Sequence, residues 1–239
     1  MYSIAKEDDL FSNTSSRTQR SEDPGSPSSA ETCHSEKFPF PEALSILEHS
    51  GKRLYGDHFQ IHEEDHLVIF KLLVYFLRDS ENASRLNISF RKGILLTGPI
   101  GCGKTSLMNL MRYISAAYTH HVMKPCRQIT FEFHRNGFPV FDKYSDHSYE
   151  PKDGQLVPKT YCFDDLGAES SIKYFGNDTN VMAEIIMSRY DLFVSADMIT
   201  HATTNLTSTQ LENVYGSRVR SRLREMCNLV SFTSRDKRI

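Results

Sequence analysis

The stretch Gly98-Pro99-Ile100-Gly101-Cys102-Gly103-Lys104-Thr105 decides the fold of this 239-residue chain. It matches the pattern G-x-x-x-x-G-K-[ST], in which glycines let backbone N–H groups turn towards phosphate oxygens. The apolar run 93–97 before it predicts a buried strand, and apolar residues at helical spacing after Ser106 predict a helix. A phosphate-binding loop needs this strand–loop–helix context, so the sequence predicts a nucleotide site.

The residue types of the loop indicate how it would hold a nucleotide. Lys104 is expected to reach the β and γ phosphates, and the Thr105 hydroxyl is expected to bind Mg²⁺. The helix that opens at Lys104 adds its positive N-terminal end. Cys102 fills a variable position and is expected to be inert rather than catalytic. The residues predicted to contact the nucleotide are Gly98, Pro99, Ile100, Gly101, Cys102, Gly103, Lys104, Thr105 and Ser106.

Two adjacent acids, Asp164 and Asp165, end a second apolar strand that we predict over residues 160–165. In phosphate-loop NTPases an Asp at this place holds Mg²⁺ together with the loop Ser or Thr. Asp164 directly follows the apolar run and is the expected Mg²⁺ ligand, so Asp165 would polarise the attacking water. Asp is one methylene shorter than the Glu common at this second position in related ATPases, and Glu169 is therefore the alternative base.

Asn205 follows a short strand predicted over residues 198–203. If this strand lies between the strand before the loop and the strand that ends in the two acids, Asn205 can orient water against the γ-phosphate. The alternative is a residue that caps the next helix.

The C-terminal stretch 216–239 is basic, with seven basic and two acidic side chains and a local net charge of +5. Arg218 and Arg222 share one face of a predicted helix, and Arg220 and Arg224 share another. One pair suits arginine fingers and the other suits contacts to a nucleic-acid backbone. A solvated basic surface is the alternative for Arg220 and Arg224.

Composition limits the cellular setting and the partners. The net charge is −2, so any nucleic-acid contact must come from a local patch. The five cysteines form no C-x-x-C pair, and a cytoplasmic protein is expected because no secretory segment is evident. The longest apolar run, residues 67–77, is too short to cross a membrane.

Strand and helix patterns alternate and predict an α/β fold, with a parallel sheet covered by helices on both faces. We predict a disordered serine-rich tail over residues 1–37, helices that pack on the core over 38–84, and a nucleotide-binding domain over 85–239. The further predicted elements are helices from about Pro41 and over 63–78, a strand over 127–133, an irregular insertion over 134–158, a helix over 181–190 and one or two helices over 208–225.

Four motifs in this order resemble the AAA+ ATPases of the DnaC-like helicase-loader and IstB-like transposition-helper group. They are Asp164-Asp165-Leu166-Gly167, the helix end Ser188-Arg189-Tyr190, the strand Thr203-Thr204-Asn205, and Gly216-Ser217-Arg218-Val219 with Ser221-Arg222-Leu223. The resemblance covers residues 85–239. It implies a P-loop NTPase of AAA+ type that takes ATP and Mg²⁺.

The resemblance also implies assembly and a partner. Family members form open or spiral oligomers on DNA, several bind single strands, and the last motif supplies an arginine to the ATP of a neighbouring subunit. By match, Arg222 is the first choice for this arginine and Arg218 the second. The sequence stops soon after this motif without a helical lid domain, as in helicase loaders of the group. The N-terminal region shows no partner-binding domain of the loader type.

These observations leave several functions open. The first is an ATPase that loads a replicative helicase, and the second is a transposition helper whose partner is a transposase. A third is an ATP-dependent switch with negligible turnover, which Asp165 in place of Glu allows. A small-molecule kinase fits poorly, because no basic lid segment is evident. We expect the adenine pocket near residues 54–61.

Overall fold

The computed structural model describes residues 39–114, 120–169, 172–174 and 177–232, so the predicted tail over 1–37 lies outside the described residues. The helices are α1 Phe40–Tyr55, α2 His66–Phe76, α3 Ser80–Arg85, α4 Lys104–Ile114, α5 Cys126–Asn136, α6 Pro139–Tyr144, α7 Val181–Ala196 and α8 Ser208–Met226, with a short 3₁₀ helix at Glu63–Asp65. The strands are β1 Gly93–Thr97, β2 Val122–Pro125, β3 Tyr149–Lys152, β4 Gln155–Pro158, β5 Tyr161–Leu166, β6 Ile172–Tyr174, β7 Asn177–Thr179, β8 Thr200–Thr204 and β9 Cys227–Ser231.

Five strands form one parallel sheet in the order β2-β5-β8-β1-β9. Strand β8 therefore lies between β1, which precedes the phosphate-binding loop, and β5, which ends in the two acids. The carboxyl ends of parallel strands meet at one edge of the sheet, and ligands of open α/β sheets bind there. The predicted α/β fold with a parallel sheet is confirmed, and among the described residues no helical domain follows β9.

The sheet is buried on both faces, as the alternation of its side chains shows. In β1, Leu95 belongs to one apolar core, and Ile94 and Leu96 belong to the other. In β5, Phe163 belongs to the same core as Leu95, and Cys162 belongs to the same core as Ile94. Helices α5 to α8 cover the first face, and α1, α2 and α4 cover the second. Because both faces are covered, the strands read as near-continuous apolar runs.

The two helices predicted near the N-terminus are present as α1 and α2. Ala43 and Leu47 of α1 and Leu72 of α2 share one core with Ile94 of β1. The boundary at residue 85 stays a prediction, since these helices and the sheet bury apolar surface together. No described helix has the length and apolar character required to cross a membrane.

The prediction of a strand over 127–133 is wrong, because these residues belong to helix α5. The apolar residues Ile129, Phe131 and Phe133 alternate with polar ones, and this pattern is typical of a strand. The buried residues instead follow helical spacing and include Cys126, Ile129 and Phe133, whereas Phe131 is half exposed. Pro125 is the N-cap residue of α5; its backbone is extended, and it ends strand β2 where the helix begins.

The insertion predicted as irregular over 134–158 contains helix α6 and an antiparallel hairpin of β3 and β4. The hairpin turns at Asp153 and Gly154, whose φ angles are 50° and 80°. Positive φ at both central residues defines a type I′ turn, for which Asp-Gly is a strong sequence signal. This dipeptide was the available signal for the hairpin.

Arg189 of α7 is fully buried and ties the helix to the sheet and to the base of the hairpin. Its guanidinium donates to Thr200 Oγ1 at 2.6 Å and to the backbone carbonyls of Tyr144, Lys159 and Ile199 at 2.8 to 3.0 Å. Burial lowers the pKa of Arg189 to about 9. Because its N–H groups are satisfied by neutral oxygens, this arginine has a structural role and fixes the position of α7.

Candidate functional site

The phosphate-binding loop runs from the end of β1 to the start of α4, as the motif predicts. Gly98 has a φ of 151°, and a Cβ there would lie 2.6 Å from the Cβ of Phe232. Gly103 has a φ of 97° with open space around it, so its glycine is required by backbone conformation rather than by packing. These two glycines turn the chain so that the N-terminus of α4 faces the cavity beside the loop.

Lys104 is the first residue of α4, and its ammonium group folds back over the loop. Its Nζ donates to the carbonyl oxygens of Gly98 at 2.9 Å and Pro99 at 2.7 Å. The side chain is buried, and it also lies 3.8 Å from the Sγ of Cys102. These contacts hold a positive charge at the loop, and a phosphate oxygen would be a stronger, charge-assisted partner than a neutral carbonyl.

Thr105, Asp164 and Thr203 form a chain of hydrogen bonds that joins the amino end of α4 to the carboxyl ends of β5 and β8. Thr105 Oγ1 donates to the Asp164 carboxylate, whose oxygens lie 3.0 and 3.1 Å away. Thr203 Oγ1 donates to the same carboxylate at 2.7 Å. Burial raises the pKa of Asp164, and the bonds from Thr203 and Thr105 oppose this change. Thr203 was not predicted as a site residue, although it lies in the motif that ends in Asn205.

The pair Thr105 and Asp164 fits two neighbouring ligands of Mg²⁺. This ion binds oxygens at about 2.1 Å in octahedral geometry, so adjacent ligand oxygens lie about 3.0 Å apart. The observed separations of 3.0 and 3.1 Å match this spacing. Both groups are oxygen donors, which Mg²⁺ prefers, and phosphate oxygens and water normally supply its remaining ligands. The predicted role of Asp164 as a metal ligand is therefore compatible with the geometry.

A β-bulge brings the second acid to the same edge as the first. Successive side chains of a strand point to opposite faces, so Asp164 and Asp165 would ordinarily diverge. Here these two residues lie opposite the single residue Thr203, and the pairing register shifts. Asp165 has a φ of 55°, and its N–H donates to Thr203 Oγ1 at 2.9 Å. The bulge leaves Asp164 buried and turns Asp165 towards the cavity.

Glu169, the alternative base, is held by other groups. One carboxylate oxygen accepts the N–H of Gly167 at 3.0 Å, and the other accepts the hydroxyl of Tyr215. The buried Tyr215 has its pKa raised by burial and by this carboxylate. Glu169 is not among the residues that line the cavity, whereas Asp165 is. The geometry therefore favours Asp165 over Glu169 as the group that contacts water.

A cavity of about 680 Å³ lies between the loop and the segment before α2. Asn205, at the end of β8, and Asp165, at the end of β5, line one part of it. Residues 58–62, Ile69 and Phe232 line another part. This second part overlaps the predicted adenine region, and its apolar side chains suit a flat base. The cavity is thus lined by both the phosphate-binding loop and a surface for a base.

The arginines of the C-terminal motif lie on α8, outside the residues that line the cavity. Arg222 stacks on the ring of Tyr190, and Arg220 pairs with Glu212 at 3.3 Å. Arg218 and Arg224 are exposed. Helix α8 is kinked at Gly216, whose φ is 85°, so the prediction of one or two helices is confirmed as two segments. The structure does not bring these arginines to the loop of their own chain.

No family model matches the sequence, and no curated protein matches it. The solved structures that match include a DnaC helicase loader, 17% identical with a TM-score of 0.49, covering 76% of this chain and 99% of that chain. DnaI matches with 18% identity and a TM-score of 0.49, covering 79% of this chain and 93% of that chain.

DnaA from Aquifex aeolicus, bound to AMPPCP, also matches, with 14% identity and a TM-score of 0.45, covering 73% of this chain and 48% of that chain. Helicase loaders, the class that the motifs resemble, are therefore among the matching structures. At these identities the likeness concerns the fold alone. The roles of individual residues rest on the geometry of the site.

Proposed function

We propose that this chain binds ATP with Mg²⁺, hydrolyses it, and uses the cycle to act on a protein bound to DNA. The observation that carries the proposal is the arrangement of Lys104 and the Thr105–Asp164 pair beside a cavity large enough for a nucleotide. Lys104 supplies positive charge for the phosphates, and Thr105 and Asp164 hold Mg²⁺. The metal neutralises charge on the phosphate oxygens when it is bound.

Asp165 and Asn205 are the residues that we propose for handling water. Both line the cavity at the carboxyl edge of the sheet. The Asp165 carboxylate accepts a proton from the attacking water, and the Asn205 amide orients this water by hydrogen bonding. Asp165 lies in a left-handed conformation that Asp tolerates better than most residues, and the hydrogen bond from its N–H to Thr203 Oγ1 fixes the backbone that carries the carboxylate.

We further propose that the active form is a homo-oligomer in which Arg222 completes the site of a neighbouring subunit. Arg222 does not line the cavity of its own chain, which supports a contribution in trans. An arginine finger stabilises charge that develops on the transferred phosphoryl group. Arg218, one turn earlier on α8, is the second choice.

A replicative helicase is the partner that we propose first, and the resemblance of the motifs to helicase loaders supports it. A transposase is the alternative, because transposition helpers share the same core motifs. Stimulation of ATP hydrolysis by a purified replicative helicase, and not by a transposase, is the expected result. An ATP-dependent switch is the second candidate function, since Asp165 has a shorter reach than Glu would have.

Replacing Lys104 with alanine is expected to weaken Mg²⁺-dependent binding of a fluorescent ATP analogue by about 10²-fold or more. The variant loses the two charge-assisted hydrogen bonds that the Lys104 ammonium would donate to phosphate oxygens, and each is worth about 1.5–3 kcal/mol. The measurement is a fluorescence titration at fixed Mg²⁺, with a thermal melt to show that the variant folds. Lys152→Ala, on the hairpin strand β3, is the matched control and should bind normally. Unchanged affinity in Lys104→Ala would contradict nucleotide binding at this loop.

Weak DNA binding through phosphates is a further part of the proposal, with single strands as the first candidate. The described residues 216–232 carry four arginines and one glutamate, so this surface is locally basic. Phosphate contacts release counterions, and affinity should therefore fall steeply as salt rises. Sequence preference should be slight, because phosphate contacts carry no base information.

Replacing Arg220 and Arg224 together with glutamine is expected to lower DNA affinity and flatten its salt dependence. Loss of two single-strand phosphate contacts should reduce the log–log slope by about 1.4. Glutamine removes charge without placing a new carboxylate beside Glu212, the partner of Arg220. The control removes two arginines elsewhere, Arg53→Gln on α1 with Arg85→Gln on α3. Equal salt slopes for the two double variants would show that α8 makes no such contact.

A further inference from the structure

Tyr190 of α7 and Arg222 of α8 form a close pair on the surface where the two helices pack. The guanidinium carbon of Arg222 lies 4.0 Å from the centre of the Tyr190 ring. One guanidinium N–H also donates to the Tyr190 hydroxyl at 2.9 Å. The four arginines between 218 and 224 differ in this respect, because only Arg222 stacks on an aromatic ring within the described part of α8.

The ring is a fixed platform rather than a mobile side chain. Tyr190 is only 8% exposed and belongs to the core that covers one face of the sheet. Arg189, the residue before it, is held by the hydrogen bonds that tie α7 to the sheet. Arg222 therefore stacks on a surface whose position is set by the fold.

Glu225, less than one turn further along α8, completes a triangle with this pair. Its carboxylate lies 3.5 Å from the Arg222 guanidinium. The same Glu225 carboxylate forms a hydrogen bond with the Tyr190 hydroxyl, and this bond is the main cause that raises the pKa of Tyr190. Tyr190 and Glu225 thus restrain the arginine from two sides. The guanidinium has five N–H donors, so this arrangement leaves several of them available for a phosphate.

We propose that Tyr190 is a positioning residue, which holds the Arg222 guanidinium in place for the phosphates of a neighbouring subunit. The inference rests on the proposed function, in which Arg222 acts in trans. A free arginine side chain has many accessible rotamers, and part of this conformational entropy is lost whenever the side chain is fixed on a phosphate. Stacking on Tyr190 removes some of that freedom before the subunits meet, and so less is lost at the transition state.

The test uses mixed assemblies in which each subunit has one task. Arg222→Ala subunits bind ATP and lack the finger, whereas Lys104→Ala subunits supply the finger and do not bind ATP. Tyr190 is then changed only in the Lys104→Ala donor. Because the donor does not hydrolyse ATP, a change at its Tyr190 affects the measured rate only through the arginine that it presents.

The expected result is that Tyr190→Leu in the donor lowers the restored kcat by about 2- to 30-fold. This range corresponds to the loss of a cation–π contact worth about 0.5–2 kcal/mol. KM should not change, because the ATP-binding subunit is unaltered. Tyr190→Phe keeps the ring and should restore most of the rate. Tyr190→Met is the second variant that lacks the ring and should behave like Tyr190→Leu if the latter melts early.

Three results would overturn the inference, and they are distinguishable. If folded Tyr190→Leu and Tyr190→Met donors restore kcat as well as the parent donor, Tyr190 does not position the finger, although Arg222 still acts in trans. If Arg222→Ala alone hydrolyses ATP at the normal rate, the arginine is not a finger and the proposed trans arrangement fails with it. A change in KM with an unchanged kcat in the Tyr190→Leu mixture would likewise contradict a positioning role.

Discussion

Replacing Arg222 with alanine is expected to slow ATP hydrolysis by about 10³-fold or more while leaving ATP binding unchanged. Binding is spared because Arg222 does not line the cavity of its own chain. Hydrolysis suffers because charge spreads over the phosphoryl oxygens in the transition state and an arginine from the neighbour stabilises it there. The measurement is kcat at saturating ATP, together with a titration of a fluorescent ATP analogue.

Mixing Arg222→Ala with Lys104→Ala protein should restore part of the lost activity. Each variant supplies what the other lacks, since one keeps the phosphate-binding lysine and the other keeps the finger. The rate per subunit of the unmodified protein should also rise with protein concentration as subunits assemble. The absence of rescue, together with a rate that is independent of concentration, would indicate a monomeric enzyme.

Two other arginines of α8 serve as comparisons for Arg222. Arg224→Ala should leave the rate within a few fold, because this exposed side chain lies on another face of the helix. Arg218→Ala tests the second candidate, which shares the face of Arg222. A large loss in Arg218→Ala with none in Arg222→Ala would assign the finger to Arg218 and leave the Tyr190 stack without a catalytic consequence.

The sequence predicted the elements whose pattern is local and strong. The loop 98–105 is identified by its glycines and lysine, and the short apolar run before it is typical of a buried strand in the strand–loop–helix context of this motif. The role expected for Asn205 required that its strand lie between the strand before the loop and the strand of the two acids, and the observed sheet order meets this condition. Helix α5 was misjudged because alternation over seven residues fits a strand equally well, and its N-cap residue Pro125 makes no side-chain cap that would mark the start of a helix.

The features of the site that escaped prediction depend on contacts between distant residues. The bulge at Asp165 arises from pairing with Thr203, and no local pattern announces a change of register. The stack of Arg222 on Tyr190 joins two helices that are separated by strand β8 in the chain. Such contacts follow from the packing of α7 on α8. Composition and spacing carry no information about this packing.

Replacing Asp165 with asparagine is expected to keep ATP binding and to reduce hydrolysis by about 10²- to 10⁴-fold, the usual contribution of a general base. Asn is a suitable replacement because it tolerates the left-handed conformation that Asp165 adopts, with its φ of 55°. The backbone bond from this position to Thr203 should therefore survive, and the buried Asp164 should keep its place. Single-turnover hydrolysis of bound ATP separates this loss from any change in product release.

Glu169→Gln is the matched control for Asp165→Asn, because it removes the carboxylate that follows shortly after strand β5 instead of the one within it. The Glu169 carboxylate accepts from Gly167 and Tyr215 and does not line the cavity. Its loss should lower stability more than catalysis, with kcat within a few fold of normal. The opposite pattern, a normal rate in Asp165→Asn and a severe loss in Glu169→Gln, would make Glu169 the base. Negligible turnover in the assembled, unmodified protein would instead favour the switch, since Asp165 would then have no hydrolysis to promote.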